Sequence, residues 1–311
     1  MIIDTHVHFA DSKIPNTALF RLEMPEVFKN LTEQYGVESV IHVETRQTLE
    51  ENYWVLDLAE QDQFISGCVG FIDPITKNFS SKLASFKKFS RFKGVRIHTL
   101  DYIDTEDKDL FIENMMALAD SGLTLDLHTT HHTLNKLEEI IRYVKDLPVI
   151  INHIAGPPVM NEHRIDEKWA DNLIGIAKYP NVNIKLSALV QMTIEWEKQK
   201  YNTIDYKPHK APSNPEYYSP VIDLIFNHFG EDRIIYASNW PQLERVSDYG
   251  IGLNIVKTYF DRKGSYTSTK IFRGNALSFY KMFAVLLFVC HDSKNCLVTL
   301  LLKDYRRLVD K

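Results

Sequence analysis

The sequence predicts an α/β fold, a (β/α)8 or TIM barrel, and three observations support this prediction. Eight short runs rich in β-branched residues follow one another along the chain. Amphipathic stretches with helical spacing separate most of these runs. Together they occupy about 250 residues, the usual size of such a barrel. A doubly wound parallel sheet is the alternative, but that fold seldom needs eight strand–helix units.

The eight predicted strands alternate with predicted helices from the first residues onward. The clearest helix is TLNKLEEIIRYVKDLP, where Leu134, Leu137, Ile141 and Val144 keep helical spacing and Pro148 stops it. In chain order the strands are MIIDTHVH, ESVIHV from Glu38, ISGCVGF from Ile65, GVRIH from Gly94, LTLDLHT from Leu123, PVIINHI from Pro148, VNIKLSA from Val182 and RIIYASN from Arg233.

Histidines close several of these strands, and barrel enzymes place their active sites at the carboxyl ends of the strands. Because alternate strand residues share a face, Asp4, His6 and His8 are expected on one side of the first strand, and Ile3, Thr5 and Val7 on the other. A single buried histidine is usually structural. Five at equivalent strand ends predict an active site, and they are His6, His8, His98, His128 and His153.

Composition narrows the function classes. A net charge of -5 and scattered basic residues give no electrostatic footprint for nucleic acid. The three cysteines, Cys68, Cys290 and Cys296, are too few for a disulfide framework or a cysteine-based zinc site and suit a reducing compartment. No apolar run approaches the roughly 20 residues that span a bilayer, and the start lacks a secretory signal pattern. We expect a cytoplasmic protein that acts on a small molecule without nucleic acid or membrane, with a homo-oligomer left open.

Several segments resemble the amidohydrolase superfamily, and within it the amidohydrolase-related proteins that include sugar-lactone hydrolases such as fuconolactonases and rhamnonolactonases. The matching segments span residues 1 to 282 in order. They are DTHVH, EENYWVLDLA, GVRIH, NHIAGPP, VNIKLSAL, FGEDRIIYASNWP and NALSFYK. The resemblance implies a hydrolase of esters or lactones, most specifically a sugar lactonase.

The resemblance also implies roles for individual residues. The metal ligands or polarising groups would be His6, His8, His128 and His153, holding one divalent zinc or manganese ion, although the reaction can also proceed without a metal. Neutral imidazoles suit such ions, and the ion lowers the pKa of its bound water. The expected substrate-binding residues are Glu44, Arg96, His98, Lys185, Trp196 and Trp240.

One position departs from the superfamily pattern. The last strand usually supplies an aspartate that binds the metal and accepts a proton, but here that position is Asn239. Three explanations remain open: Glu44 acts as the base, a histidine of the cluster does so, or the protein binds its ligand without turning it over. A metal-dependent decarboxylase of the same superfamily is a further alternative to the lactonase.

Two segments lie outside the barrel pattern. The long connection from Leu189 to Asp232 contains Trp196, and we expect it to cover the strand ends as a lid, with a solvated insertion as the alternative. The resemblance ends near residue 282. Residues 283–311 are therefore predicted to form a C-terminal helical tail added to a single barrel domain of residues 1–282.

Overall fold

A computed structural model describes residues 1–10, 23–157, 165–193 and 210–282 of the chain. Eight parallel strands, each paired with the next in chain order, form one nearly closed barrel, so the predicted fold class and all eight predicted strands are confirmed. The strands are Ile2–Val7 (β1), Val37–Val43 (β2), Ile65–Gly70 (β3), Phe92–Ile97 (β4), Thr124–Leu127 (β5), Val149–Ile151 (β6), Val182–Leu186 (β7) and Ile234–Tyr236 (β8).

Helices alternate with the strands and bury their apolar sides against them. The predicted helix after β5 is confirmed: it buries Leu134, Leu137, Ile140 and Ile141 and ends before Pro148. The helices are Pro25–Thr32 (α1), Leu49–Gln61 (α2), Phe79–Phe86 (α3), Lys108–Ser121 (α4), Leu134–Tyr143 (α5), Glu167–Ala177 (α6), Ser219–Phe229 (α7), Tyr249–Lys263 (α8), Ser265–Thr269 (α9) and Asn275–Phe279 (α10).

A small apolar cluster fills the inside of the barrel. It brings together side chains from strands on opposite sides, and Tyr280 and Met282 from the end of the described chain join it; the strand members are Ile3, Ile41, Val43, Val69, Ile150 and Ile235. A larger cluster lies between the strands and the surrounding helices. The histidines of the strand ends lie outside this inner cluster, toward the carboxyl end of the barrel.

The segment around α10 covers the amino end of the barrel. Asn275 donates to the backbone oxygen of Ile234 at the start of β8, and Lys281 donates to the backbone oxygen of Gly122, just before β5. The Tyr280 hydroxyl reaches into the barrel and donates to Asp126. Among the described residues, this segment therefore closes the amino end of the barrel to a substrate.

The barrel closes between β1 and β8 through backbone groups of predicted site residues. Asn239 N donates to the backbone oxygen of His6 at 3.0 Å, and His8 N donates to the backbone oxygen of Trp240 at 2.9 Å. The Thr5 hydroxyl donates to the backbone oxygen of Tyr236. The contacts that close the barrel between β1 and β8, here called the seam, therefore also position His6, His8 and Asn239 for the site.

The predicted alternation along β1 is wrong at its start. Ile3 packs inside the barrel, whereas the Asp4 carboxylate accepts hydrogen bonds from Ser238 N and from the Tyr249 hydroxyl on α8. The pairing of β1 with β2 shifts register between Asp4 and Val7. Such an irregularity resets which side chains face inward, so His6 turns into the barrel although Asp4 does not.

Two sequence predictions fall outside the described ranges. Residues 283–311, where a helical tail is predicted, and Trp196 of the predicted lid are not among them. The domain boundary near residue 282 therefore stays a prediction. Within the described ranges, no helix combines the length and the apolar character needed to cross a membrane.

Candidate active site

The histidines at the strand ends come together as one buried cluster at the carboxyl end of the barrel. The ring centroids of His6 and His153 are 4.5 Å apart, and those of His6 and His8 are 4.9 Å apart. His128 lies 5.4 Å from His153 and 5.5 Å from His98. Side chains from β1 and from the ends of β4, β5 and β6 thus meet in one place.

His6 is fully buried, and neither of its ring nitrogens has a hydrogen-bond partner among the described residues. A buried polar group without a partner costs about 1–3 kcal/mol. A neutral imidazole has one donor and one acceptor nitrogen. The His6 ring therefore has both kinds of atom free for a molecule that enters the site.

The hydrogen bonds of His8 define its tautomer. Its Nδ1 lies 2.7 Å from the backbone oxygen of Val43, which can only accept, so Nδ1 carries a proton. Its Nε2 lies 3.1 Å from the Asn239 side-chain oxygen. A neutral His8 has no proton left for that oxygen, so its Nε2 requires the amide NH2 of Asn239 instead. Asn239 can supply that NH2, whereas an ionised aspartate cannot.

A chain of hydrogen bonds connects Glu44 to the cluster through His98. The His98 Nε2 lies 2.5 Å from Glu44 Oε1, and His98 Nδ1 lies 3.4 Å from His128 Nδ1. Because the carboxylate can only accept, the neutral form of His98 donates from Nε2 and presents a lone pair at Nδ1. His128 then donates from Nδ1 and keeps a lone pair on Nε2.

Arg96 lies in the barrel next to these groups. Its Nη1 donates to the backbone oxygen of Glu44 at 2.8 Å, while its Nε is buried and has no partner in the described part of the chain. A guanidinium N–H without a partner beside the histidine cluster is a hydrogen-bond donor for an oxygen that carries negative charge.

A left-handed turn presents His153. Residues His153, Ile154, Ala155 and Gly156 have φ values of 53°, 49°, 61° and 48°. Left-handed backbone costs roughly 1–2 kcal/mol for each residue other than glycine. Ser187 lies beside the turn, where its hydroxyl accepts from His153 N and lies 2.9 Å from His153 Nδ1. Strained backbone of this kind is concentrated at functional sites.

Burial favours the neutral form of four imidazoles of the cluster. It lowers the pKa of His6, His128 and His153 well below 6.5, and neighbouring histidines and Arg96 lower them further. Burial likewise lowers the pKa of His8 to about 3, again with a contribution from Arg96. Neutral imidazoles keep a ring-nitrogen lone pair at neutral pH, which can accept a hydrogen bond or bind a cation.

These pKa shifts predict that the protein loses stability in acid. Above pH 6.5 these histidines are neutral in both the folded and the unfolded protein. Below pH 6.5 the unfolded chain binds protons that the same histidines do not bind in the folded protein. The free energy of unfolding should therefore fall toward pH 4.5, by up to about 1.4 kcal/mol per pH unit for each histidine. Urea denaturation between pH 7.5 and 4.5 measures this slope. In His6→Leu the slope of unfolding free energy against pH should be smaller by the contribution of about one proton. The control variant His228→Asn changes an exposed histidine and should have the wild-type slope. Equal slopes in all three proteins would contradict the expectation.

The remaining predicted substrate-binding residues occupy different places. The Lys185 side chain is fully buried, 2.5 Å from Asp126 and 2.8 Å from the backbone oxygen of Thr5. Trp240 is also fully buried, packs on Phe28 and donates from its indole to Glu244. The structure thus brings Glu44, Arg96 and His98 to the cluster but does not bring Trp240 to it.

Sequence reasoning missed two residues that support the cluster. Trp169 of α6 donates from its indole to the backbone oxygen of Ile154 at 2.8 Å, within the left-handed turn. The Ser187 hydroxyl holds His153 from the end of β7. No periodicity marks Trp169; the glycine and the two prolines of the segment NHIAGPP are the only sequence signals that could have pointed to a turn here.

The ring nitrogens of the cluster are of the type that binds metals, but their arrangement is not that of a metal site. Imidazole lone pairs are good zinc ligands, and His6 has such an atom free. Yet residues 1–10, 23–157, 165–193 and 210–282 contain no group of three or more histidine, cysteine, aspartate or glutamate side chains arranged to hold a metal ion. As placed, these side chains do not fit a metal with three protein ligands.

Comparison with known proteins identifies the family. A family model described as amidohydrolase matches residues 3–282. The chain belongs to the amidohydrolase family. The resemblance of its motifs is thus confirmed, and the match ends where the resemblance does. This amidohydrolase is also 27% identical over 295 residues to an L-fucono-1,5-lactonase of Burkholderia ambifaria, with 90% of the chain and 95% of the relative covered.

Solved structures share the barrel of this amidohydrolase. A crystal structure of an amidohydrolase from Burkholderia multivorans with bound zinc is 19% identical, has a TM-score of 0.78, and covers 91% of this chain and 99% of its own. A 5-carboxyvanillate decarboxylase from Novosphingobium aromaticivorans, complexed with manganese, is 15% identical with a TM-score of 0.62 and covers 90% and 96%. At these identities the likeness shows the fold.

Proposed function

We propose that this amidohydrolase opens the ring of a small sugar lactone with water, in the manner named by its L-fucono-1,5-lactonase relative. The observation that carries the proposal is His6, which is buried at the centre of the cluster with both ring nitrogens free. One nitrogen donates and the other accepts. Ester hydrolysis needs this pair of functions, because a water must be held beside a carbonyl oxygen.

His128 is the base of the proposed reaction. Its lone pair on Nε2, set through His98 and Glu44, accepts a proton from water while the water oxygen bonds to the lactone carbonyl carbon. Collapse of the tetrahedral intermediate breaks the bond to the ring oxygen, and His128 returns the proton to that oxygen. The product is an open-chain hydroxy acid, which releases a proton at neutral pH. Positioned acid–base groups contribute about 10²–10⁴-fold to such reactions.

Arg96 stabilises the charge that develops on the carbonyl oxygen. Its Nε–H is buried and unpaired, so an oxyanion placed beside it would supply the missing hydrogen-bond partner. In a site that excludes water such a donor acts strongly, and removing one typically costs about 10²–10³-fold in kcat. His6 and His153 hold the carbonyl and the water in line with it.

Asn239 and Glu44 support this reaction in the proposal. An amide cannot ionise, so Asn239 orients His8 and accepts no proton. The Glu44 carboxylate contacts His98 and also accepts from Gln47 N, so it acts through His98. A zinc or manganese ion, when bound, would polarise the carbonyl and lower the pKa of its water. No step above depends on it, because the side chains in the described part of the chain do not gather three ligands.

Acid release from a panel of aldonolactones tests the proposal. The wild-type protein, treated with a chelator, should release one proton for each lactone ring that it opens. A pH indicator at low buffer concentration measures this release. The same assay after addition of zinc or manganese measures any metal contribution. Turnover only with added metal would replace His128 by the ion as the activator of water.

The sign of the pH change separates the lactonase from the decarboxylase. Decarboxylation consumes a proton and releases carbon dioxide, whereas lactone hydrolysis releases acid. Alkalinisation with an aromatic acid such as 5-carboxyvanillate, together with no response to any lactone, would favour the decarboxylase. A lactone that raises the melting temperature without being consumed would favour a sugar-binding barrel that has lost catalysis.

We further propose a cytoplasmic protein. The buried free thiol of Cys68 suits a reducing compartment. Sedimentation of the full chain measures directly whether the protein forms a homo-oligomer.

A further inference from the structure

The left-handed turn from His153 to Gly156 is held by few hydrogen bonds. Gly156 N donates to the backbone oxygen of His153, and the Ser187 hydroxyl accepts from His153 N. Two more bonds come from outside the cluster: the Trp169 indole N–H donates to the backbone oxygen of Ile154 at 2.8 Å, and His131 Nδ1 lies 3.0 Å from the backbone oxygen of Gly156. A β-branched residue with positive φ is a genuine outlier, so Ile154 adopts this backbone only because its surroundings impose it.

Trp169 is well placed to impose it. The Asp166 carboxylate caps α6 by accepting from Trp169 N at 2.8 Å, which fixes the first turn of the helix. The indole is almost fully buried, and so are Ile154 and Ala155. No water replaces a lost donor easily at such a place. The backbone oxygen of Ile154 can keep a buried partner only while the turn stays left-handed and points that oxygen at the indole.

We propose that Trp169 is a positioning residue for the reaction: its indole N–H maintains the left-handed turn and thereby holds the His153 ring in the histidine cluster. This inference rests on the proposed function, because it assigns His153 to the reaction. Trp169 touches neither substrate nor reacting atoms and acts through the peptide carbonyl of Ile154. Without the N–H, that carbonyl is buried unpaired, and the turn relaxes toward right-handed backbone and moves the ring.

Trp169→Phe tests the inference, because it keeps an aromatic ring and removes the donor, together with part of the buried ring volume. We expect kcat for the best lactone to fall at least about tenfold, since small misplacements of a catalytic group have large kinetic effects. KM should stay within about twofold. Ile176→Val, a buried change on the same helix without loss of a hydrogen bond, is the matched control and should keep wild-type kcat. Benzothienylalanine at position 169 replaces the N–H by sulfur in a ring of the same shape and serves if the phenylalanine variant does not fold.

Rescue by glycine distinguishes positioning from packing. Glycine adopts positive φ without the penalty that alanine has, so adding Ala155→Gly to Trp169→Phe should restore part of kcat. If Trp169 only filled space, the glycine would restore nothing. Unchanged kcat in Trp169→Phe, or a loss that Ala155→Gly leaves unimproved, would overturn the inference.

A structural comparison keeps this test independent of the proposed function. Crystal structures of the wild type and Trp169→Phe give φ at residues 153–155 directly. We expect positive values in the wild type and at least one reversal in the variant. If no lactone is hydrolysed by the wild type but the turn reverses, the lactonase proposal fails while the role of Trp169 in the turn stands. An unchanged turn in the variant overturns the inference whatever the activity.

Discussion

Replacing His6 or His153 by alanine is expected to lower kcat/KM for a sugar lactone at least tenfold, and by up to about 10²–10⁴-fold if each acts on a proton or on the developing charge. Both side chains line the same buried cluster, with ring centroids 4.5 Å apart. Steady-state kinetics on the lactone with the highest turnover measures the effect. Circular dichroism and melting temperature establish that each variant is folded.

Replacing His6 is expected to lower activity without lowering stability. Its two ring nitrogens are buried without partners, so the folded protein carries the cost of their lost hydration. His6→Leu fills the same space with an apolar side chain and should leave the melting temperature unchanged or raise it while abolishing turnover. His228→Ala, at an exposed position on α7, is the control for both measurements. Wild-type kcat/KM in both the His6 and His153 variants would remove the cluster from the mechanism.

Lys185→Met is expected to lower the free energy of unfolding by about 3–5 kcal/mol, because it leaves Asp126 as an uncompensated charge inside the barrel. The ion pair is fully buried on both sides, with 2.5 Å between Lys185 Nζ and the carboxylate. Lys185→Met with Asp126→Asn should recover most of the loss, since the amide is neutral and still accepts from the Tyr280 hydroxyl. Urea denaturation of the two single variants and the double variant measures the coupling.

An exposed ion pair provides the control for that measurement. Lys257 and Asp261 form an i,i+4 pair on α8, where each side chain is about half exposed. Lys257→Met should change stability by less than about 0.5 kcal/mol. If Lys185 orients substrate, as predicted from the sequence, Lys185→Met should instead raise KM in a protein of normal stability. The two results therefore separate a substrate contact from a structural ion pair.

The barrel and its histidine cluster could be predicted from local patterns in the sequence. Strands of parallel barrels are short and apolar, and their ends lie on one side by topology, so the position of His98, His128 and His153 at the ends of predicted strands was sufficient to bring them together. Family motifs then placed the chain among amidohydrolases. Neither step required knowledge of side-chain contacts.

Contacts between distant elements were beyond that kind of reasoning. The shift in β1 that separates Asp4 from His6 depends on pairing with β2, which a single strand pattern does not encode. Lys185 and Arg96 look alike as inward-facing cations, yet one has a buried carboxylate partner and the other has an unpaired N–H. The left-handed backbone of Ile154 contradicts the preference of a β-branched residue, and only its surroundings explain it.

The seam between β1 and β8 has a consequence for how the enzyme becomes active during synthesis. The residues that meet there are far apart in sequence: His8 and the Asn239 side chain are separated by 231 positions. Contacts of such long range form late and slowly, because a long loop must close first. A nascent chain that has not yet released its eighth strand from the ribosome has its histidines but no cluster. Catalysis therefore begins only once nearly the whole barrel has been translated.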